Sequence, residues 1–566
     1  MNRRDFVSAL SLQQGKLPDY PLDGKENAYR NVTLPMDLDM PVYNVTPYAG
    51  AWGADQAMHL LRRTTFGFRL EDVDLLKSKN MSDAVDAILS ISDFKPAPPL
   101  NNYNNPRLTD PNIPFGSTWV NDTATSVEVA NARVNSFKSW SAGLMLNQDA
   151  NIREKMTLFW HNHFATEINT VQDARASYKL DQYLRENCIA NFKQMVKDVS
   201  KDASMLFYLN GYLNTKTAPD ENYARELFEL FTLGKSADSQ YTEADIVASA
   251  KVLTGWRINS QSMTSFFQAN LHETADKTFS AFFNNTVIKG KLGAAGADEK
   301  DELVDMIFEK KEVVAKFICR KLYRFFCYYV IDSQTESDVI VPLSQTLINN
   351  NWEMLPVLRQ LFKSQHFFDT NSQSCHIKNP FDFLLGYGRL FGAVIPTDLA
   401  KQYMAWNLIN SFGAIQGMNL GDPPSVAGWP AYYQEPQYHQ IWINSDTLSK
   451  RKQFIEALMF PTGIVAQGTS ITVDMIAFVN RLTQPEDPNL LISQVCGLCS
   501  AYPISDAKKA EMKSILLSGQ AQDFYWTDAW NTYKADPSNQ MNYQAVYLRL
   551  FSFFQLLLTL PECQLA

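Results

Sequence analysis

Arg153-Glu154-Lys155-Met156-Thr157-Leu158-Phe159-Trp160-His161-Asn162-His163-Phe164 is the stretch whose period decides the fold. Together with Ile152, the residues Met156, Phe159, Trp160 and His163 recur three and four positions apart. That spacing is one face of an amphipathic helix and has no strand-like alternation. The same period returns in 125–146, 174–186, 192–201, 223–233 and 243–253, and again in 312–328, 354–367, 380–391 and 398–410. Thr242 stands where a helix N-cap belongs and Gly234 where a helix stops. Between the two helical sets, 256–291 is rich in Thr, Phe, Ser and Asn and predicts two or three short strands. The expectation is a mainly α protein, a large multi-helix body with a small β-hairpin excursion around residues 256–291.

The ends read differently from the middle. Met1-Asn2-Arg3-Arg4-Asp5-Phe6-Val7 looks like the start of a twin-arginine export signal, but its apolar run ends by Leu12 and is broken by serines. Residues 1–16 are therefore taken as a leader remnant, and the proline-rich stretch 17–50 as an extended arm. The helical body is expected over 51–566, with lobes 51–255 and 292–566 joined by the β insertion 256–291. No run of about 20 apolar residues offers a transmembrane span.

Composition narrows the function classes. Only 24 Gly and 26 Pro occur in 566 residues, which favours long helices over a turn-rich sandwich. The 51 basic against 60 acidic side chains leave a net charge of −9. No basic excess exists to neutralise phosphates, so nucleic acid is not expected as a partner. Seven cysteines, an odd number over a long chain, imply no disulfide framework, and Cys496 and Cys499 fall within a helical stretch.

Four constellations carry polar groups that a bare scaffold does not require. His161 and His163 lie about 200° apart on a regular helix, so both reach one metal only if the helix ends or distorts there. Glu226 and Glu229 share a side of the helix in Asn222-Tyr223-Ala224-Arg225-Glu226-Leu227-Phe228-Glu229, where Arg225 can instead neutralise Glu229. His161, His163, Glu226 and Glu229 together would suit a divalent metal. His272 and Lys277, in the β excursion, are candidate catalytic groups with Arg153 as electrophile. An aromatic loop after Asp422-Pro423-Pro424-Ser425-Val426-Ala427-Gly428-Trp429-Pro430 offers Trp429, Tyr432, Tyr433 and Trp442 to a sugar or a partner chain, or uses those rings as plugs. No Gly-x-Ser-x-Gly elbow, His-Glu-x-x-His motif or phosphate loop is present.

Taken in order, His59-Leu60-Leu61-Arg62-Arg63-Thr64-Thr65-Phe66-Gly67, the 153–164 and 222–234 stretches, Leu253-Thr254-Gly255-Trp256, Pro423 to Pro430 and the ending Leu560-Pro561-Glu562-Cys563-Gln564-Leu565 resemble the bacterial domain-of-unknown-function family numbered 1800. The likeness runs over residues 50–566. It implies a helical fold, export with a twin-arginine signal, and a neighbouring gene for a protein similar to the sulfatase and alkaline-phosphatase superfamily. The chain departs from the family in its short leader and in Glu273-Thr274-Ala275-Asp276, where a glycine-bearing segment is usual.

Three functions follow as expectations. The first is a periplasmic or extracellular binding or accessory protein, working with a sulfatase-like partner on polymers or the cell envelope. The second is a metal-dependent hydrolase with a His/Glu site between helices. The third is a structural scaffold.

Overall fold

Each strongly periodic stretch forms a helix because its apolar face has a partner to bury it. The computed structural model describes residues 42–92, 95–466 and 468–566. The leader reading, and all of the arm except residues 42–50, lie outside the described residues. Helices dominate the rest, and the sheets are two-stranded and antiparallel.

Two hairpins make up the expected excursion. Trp256–Asn259 pairs with Thr264–Phe267, and Lys277–Thr278 pairs with Val287–Ile288. A third hairpin, Ile464–Ala466 with Thr469–Ile471, interrupts a region read as wholly helical. Its glycines at φ +65° and +81°, Gly463 and Gly468, supply left-handed turn positions that helical periodicity does not register.

Side chains cap the helices at several ends. Ser126 accepts from the N–H of Val129, Asp398 from Lys401, and Thr242 forms a reciprocal capping box with Asp245. The Met81–Leu89 helix starts from Asn80, whose side-chain oxygen accepts the N–H of Asp83.

One hydrophobic cluster runs from Ala57 to Cys563 and includes most of the helices. Its centre is aromatic. Trp160 stacks on Phe164 and Phe192, and Phe159 meets Phe325 edge-on at 5.3 Å. Each such fully buried ring contributes roughly 1.5–3 kcal/mol by removal from water. Close helix approaches depend on glycine. A Cβ on Gly67 would lie 2.3 Å from the Cα of Gly386, so the end of the Ala54–Thr64 helix rests directly on the Pro380–Leu390 helix. That contact delivers Arg62 and Arg63 to the cleft described next.

Candidate functional site: a basic cleft under the aromatic loop

Five segments of the chain meet at a cavity of about 30 Å³, room for about two waters or for one small polar group. Arg62 and Arg63 come from the last turn of Ala54–Thr64, Lys155 from the first turn of Arg153–His163, and Arg324 from the last turn of Lys311–Phe326. His376 and Asp382 flank the start of Pro380–Leu390. Tyr432, His439 and Trp442 come from the short turns Pro430–Tyr432 and Tyr438–Trp442.

The charge in this cleft is one-sided. Four cationic side chains face a single side-chain carboxylate, Asp382, which is paired with Lys155. Arg63 donates to the carbonyls of Phe326 (2.8 Å) and Cys327 (2.5 Å), the negative end of the Lys311–Phe326 helix, and to the main-chain oxygen of Ala566 at 3.3 Å. Arg62 donates to the carbonyls of Gly497 and Leu498. Arg324 donates to the Tyr329 carbonyl at 3.3 Å and lies over the ring of Tyr438.

Two imidazoles complete the cleft. His376 and His439 stack at 4.9 Å with an 18° interplanar angle. The Nδ1 of His439 accepts from the N–H of Ile377 at 3.0 Å, so its proton sits on Nε2. That Nε2, and the Nε2 of His376, are buried without a hydrogen-bond partner. Burial pushes His439 down to about 4, and the Arg63 charge pushes the same way. Burial, with Arg63, His439 and Lys155 adding, holds His376 well below the usual histidine range. Both are neutral at pH 7.

The aromatic loop divides by burial. Trp429 is a plug, 1% exposed, and Tyr433 is exposed at the surface. Tyr432 and Trp442 pack edge-to-face at 5.9 Å and line the cleft, with the hydroxyl of Tyr432 accepting from Asn379 Nδ2 at 3.2 Å. The loop is fixed to the 153–163 helix by Asn162, whose side-chain oxygen accepts the main-chain N–H of Trp429 at 2.8 Å.

The two histidines beside Asn162 diverge, because the helix is regular through His163. His163 turns into the core among Phe159, Trp160, Phe164 and Phe231, where Lys321 Nζ lies 3.1 Å from its Nδ1. Burial lowers Lys321 to about 7 and His163 well below its usual range. His161 instead faces the ring of Trp429 at 5.8 Å, and burial lowers it to about 4.

Glu226 and Glu229 flank the start of a π-helical turn, Leu227–Thr232. Glu229 is paired with Lys235 at 2.5 Å and Arg225 at 3.8 Å. Burial, with the charge of Glu229 adding, raises Glu226. Among the described residues, no three His, Cys, Asp or Glu side chains are grouped so that they could hold a metal ion.

His272 and Lys277 do meet, on a residue the sequence reading passed over. Glu299 lies 3.1 Å from His272 Nε2 and 2.5 Å from Lys277 Nζ, and its own side chain is fully buried with that of Lys277. The N–H of Lys291 donates to it at 2.6 Å, and the Thr254 carbonyl lies 2.9 Å from His272 Nδ1. Burial alone would raise Glu299, but these donors hold it below its usual value. The cluster ties the second hairpin to the Glu299–Phe308 helix. Arg153 stands apart at its helix start, donating to the carbonyl of Ser92.

Sequence reading also missed His376, His439 and Asn162. The two imidazoles lie in non-periodic loops, and Asn162 was overlooked between two more conspicuous neighbours. The seven cysteines are all free, Cys496 and Cys499 among them. No helix is long and apolar enough to cross a membrane among the described residues.

A family model described as "Protein of unknown function (DUF1800)" matches residues 59–565. No curated protein and no solved structure matches the chain.

Proposed function

The chain belongs to the DUF1800 family, whose description gives no activity, and from its geometry we propose that it is a binding protein that receives an anionic group in the cleft under the aromatic loop. One observation carries this reading. His376 and His439, whose Nε2 atoms are buried without partners, line a cavity together with Arg62, Arg63, Lys155 and Arg324. An unmet buried polar group costs about 1–3 kcal/mol, and anion oxygens would accept from His439 Nε2–H, and from His376 Nε2 once that nitrogen takes up a proton. The cavity has room for a terminal carboxylate, or for two oxygens of a sulfate or phosphate, while Tyr432 and Trp442 meet the part that carries it.

The finer reading is an extracytoplasmic accessory protein, periplasmic or extracellular, beside a sulfatase-like partner acting on polymers or the envelope. It agrees with this chemistry, since substrates of such a partner carry the oxyanions that the cleft favours. Thermal unfolding in sulfate, phosphate, acetate and glucuronate, against chloride at equal ionic strength, tests the cleft. Saturable stabilisation, about 2.7 kcal/mol at one hundred times Kd, is expected and should be lost in His439→Ala. Equal stabilisation by chloride and by every oxyanion would overturn it.

A second reading, a metal-dependent hydrolase using His161, His163, Glu226 and Glu229, is favoured by one feature. Glu226, raised by burial and by the charge of Glu229, lies beside a π turn, a distortion frequent at functional sites. Stoichiometric zinc or manganese uptake, reduced in Glu226→Gln, would support it. Absence of uptake by the intact chain would remove it.

A further inference from the structure

A separate cavity of about 380 Å³ lies between the helices Val127–Asn147 and Leu399–Ile415, closed on one side by the proline-rich segment 96–100. Its walls are held in place before any ligand arrives. The indole N–H of Trp140 donates to the Ala97 carbonyl at 2.8 Å, and the N–H of Leu100 donates to the hydroxyl of Tyr403 at 3.0 Å. Trp406 lies flat against Gly143, where a Cβ would fall 2.5 Å from its ring, and sits 5.0 Å from Tyr403. The floor is therefore three aromatic rings, Trp140, Tyr403 and Trp406.

Set into that aromatic wall are polar groups without partners. Gln148 is 6% exposed, and neither the oxygen nor the nitrogen of its amide has a hydrogen-bond partner. The indole N–H of Trp406 is likewise unmet. The main-chain carbonyl of Gln148 accepts from Arg389 at 2.8 Å, whereas its side-chain amide has no such partner. A purely apolar occupant would leave these groups unpaired. A ligand that offers donor and acceptor on adjacent atoms, and also an apolar face, would satisfy them all.

We infer that this cavity is a binding site for an uncharged pyranose unit of a glycan. Vicinal hydroxyls both donate and accept, as the Gln148 amide requires, while the C–H face of the ring stacks on an aromatic side chain. The volume falls within the usual range for small-ligand pockets. A second cavity, of about 480 Å³, shares the Trp140 and Arg153 walls. That arrangement suits consecutive units of a chain. This site is independent of the anion cleft: it shares no lining residue with it.

The test is titration of the intact chain with neutral cello-, xylo-, malto- and chito-oligosaccharides and with a proline-rich peptide, read by tryptophan fluorescence. At least one glycan should bind with a Kd below about 1 mM. Gln148→Leu should weaken it about tenfold while leaving the melting temperature unchanged or higher, because the substitution removes an amide that has no hydrogen-bond partner within the protein. Trp406→Phe should weaken binding and keep the ring. Sulfate stabilisation at the basic cleft should be the same in Gln148→Leu as in the parent chain, so the two sites fail separately. Binding of the peptide but of no glycan, binding of none of the probes at about 10 mM, or a Gln148→Leu chain that binds glycan as the parent does, each overturns the inference.

Discussion

The side-chain oxygen of Asn162 accepts the main-chain N–H of Trp429 at 2.8 Å, and this bond joins two motifs that lie far apart in the chain. Gly428, with φ +92°, packs so closely on Asn162 that a Cβ there would fall 2.3 Å from the same oxygen. The position of the aromatic loop, and with it Tyr432 and Trp442 in the basic cleft, depends on that contact.

Replacing Gly428 by Ala should therefore be costly twice, through the left-handed backbone and through the clash. A loss of roughly 3 kcal/mol is expected by denaturant unfolding. Asn162→Ala should cost about 1–3 kcal/mol by leaving the Trp429 N–H unmet. Both should also loosen the cleft, read as weaker oxyanion stabilisation. A Gly428→Ala protein as stable as the parent would show that the loop is not held here.

Acid should unfold the chain earlier than its carboxylates alone would dictate. His59 and His161 are held at about 3 and about 4, and His439 at about 4, each mainly by burial. An imidazole whose folded pKa lies below its unfolded value of about 6.5 contributes stability that is whole above that pH. The contribution shrinks as pH falls from about 6.5 towards about 4, because the unfolded chain takes up the proton first. Each such histidine should withdraw on the order of 1 kcal/mol per pH unit across that window. Urea midpoints from pH 8 to pH 5 measure it. His439→Gln should flatten the slope, and an unchanged slope would refute the assignment.

Much of the fold was legible in the sequence, because helical periodicity is a local property. Met156, Phe159, Trp160 and His163 face the core as their spacing requires, and the β excursion falls where helix formers thin out. The site was less legible, because its parts are joined by packing. Glu299 sits in Asp298-Glu299-Lys300-Asp301-Glu302, a charge run that reads as a solvated face, yet tertiary contacts seal it between His272 and Lys277. His376 and His439 lie in loops with no period to announce which way they turn. The π turn at Leu227–Thr232 was likewise invisible, since its sequence keeps an ordinary helical pattern.

Anion affinity at the basic cleft should rise as pH falls. The cleft itself keeps His376 and His439 neutral, for burial and Arg63 disfavour their charge. A bound anion favours the charged form, so binding must raise their pKa values and take up protons. Calorimetric titration with sulfate at pH 8, 7 and 6, in buffers of different ionisation enthalpy, should show proton uptake and tighter binding at the lower pH. Affinity that is flat with pH would mean that the imidazoles do not touch the ligand.

The last prediction separates a structural from a chemical role for the His272, Lys277 and Glu299 cluster. Lys277 and Glu299 are both fully buried, and each is the other's charge partner. Removing one leaves an uncompensated charge in the interior, so Lys277→Met and Glu299→Gln should each cost about 3–5 kcal/mol. Removing both charges together should recover much of that loss, because an apolar pair of similar volume needs no partner. Chemical denaturation of the two single variants and the double one forms a closed cycle that measures the coupling. Losses that simply add would mean that the pair contributes no coupling, and that the second hairpin is held to the Glu299–Phe308 helix by its apolar contacts instead.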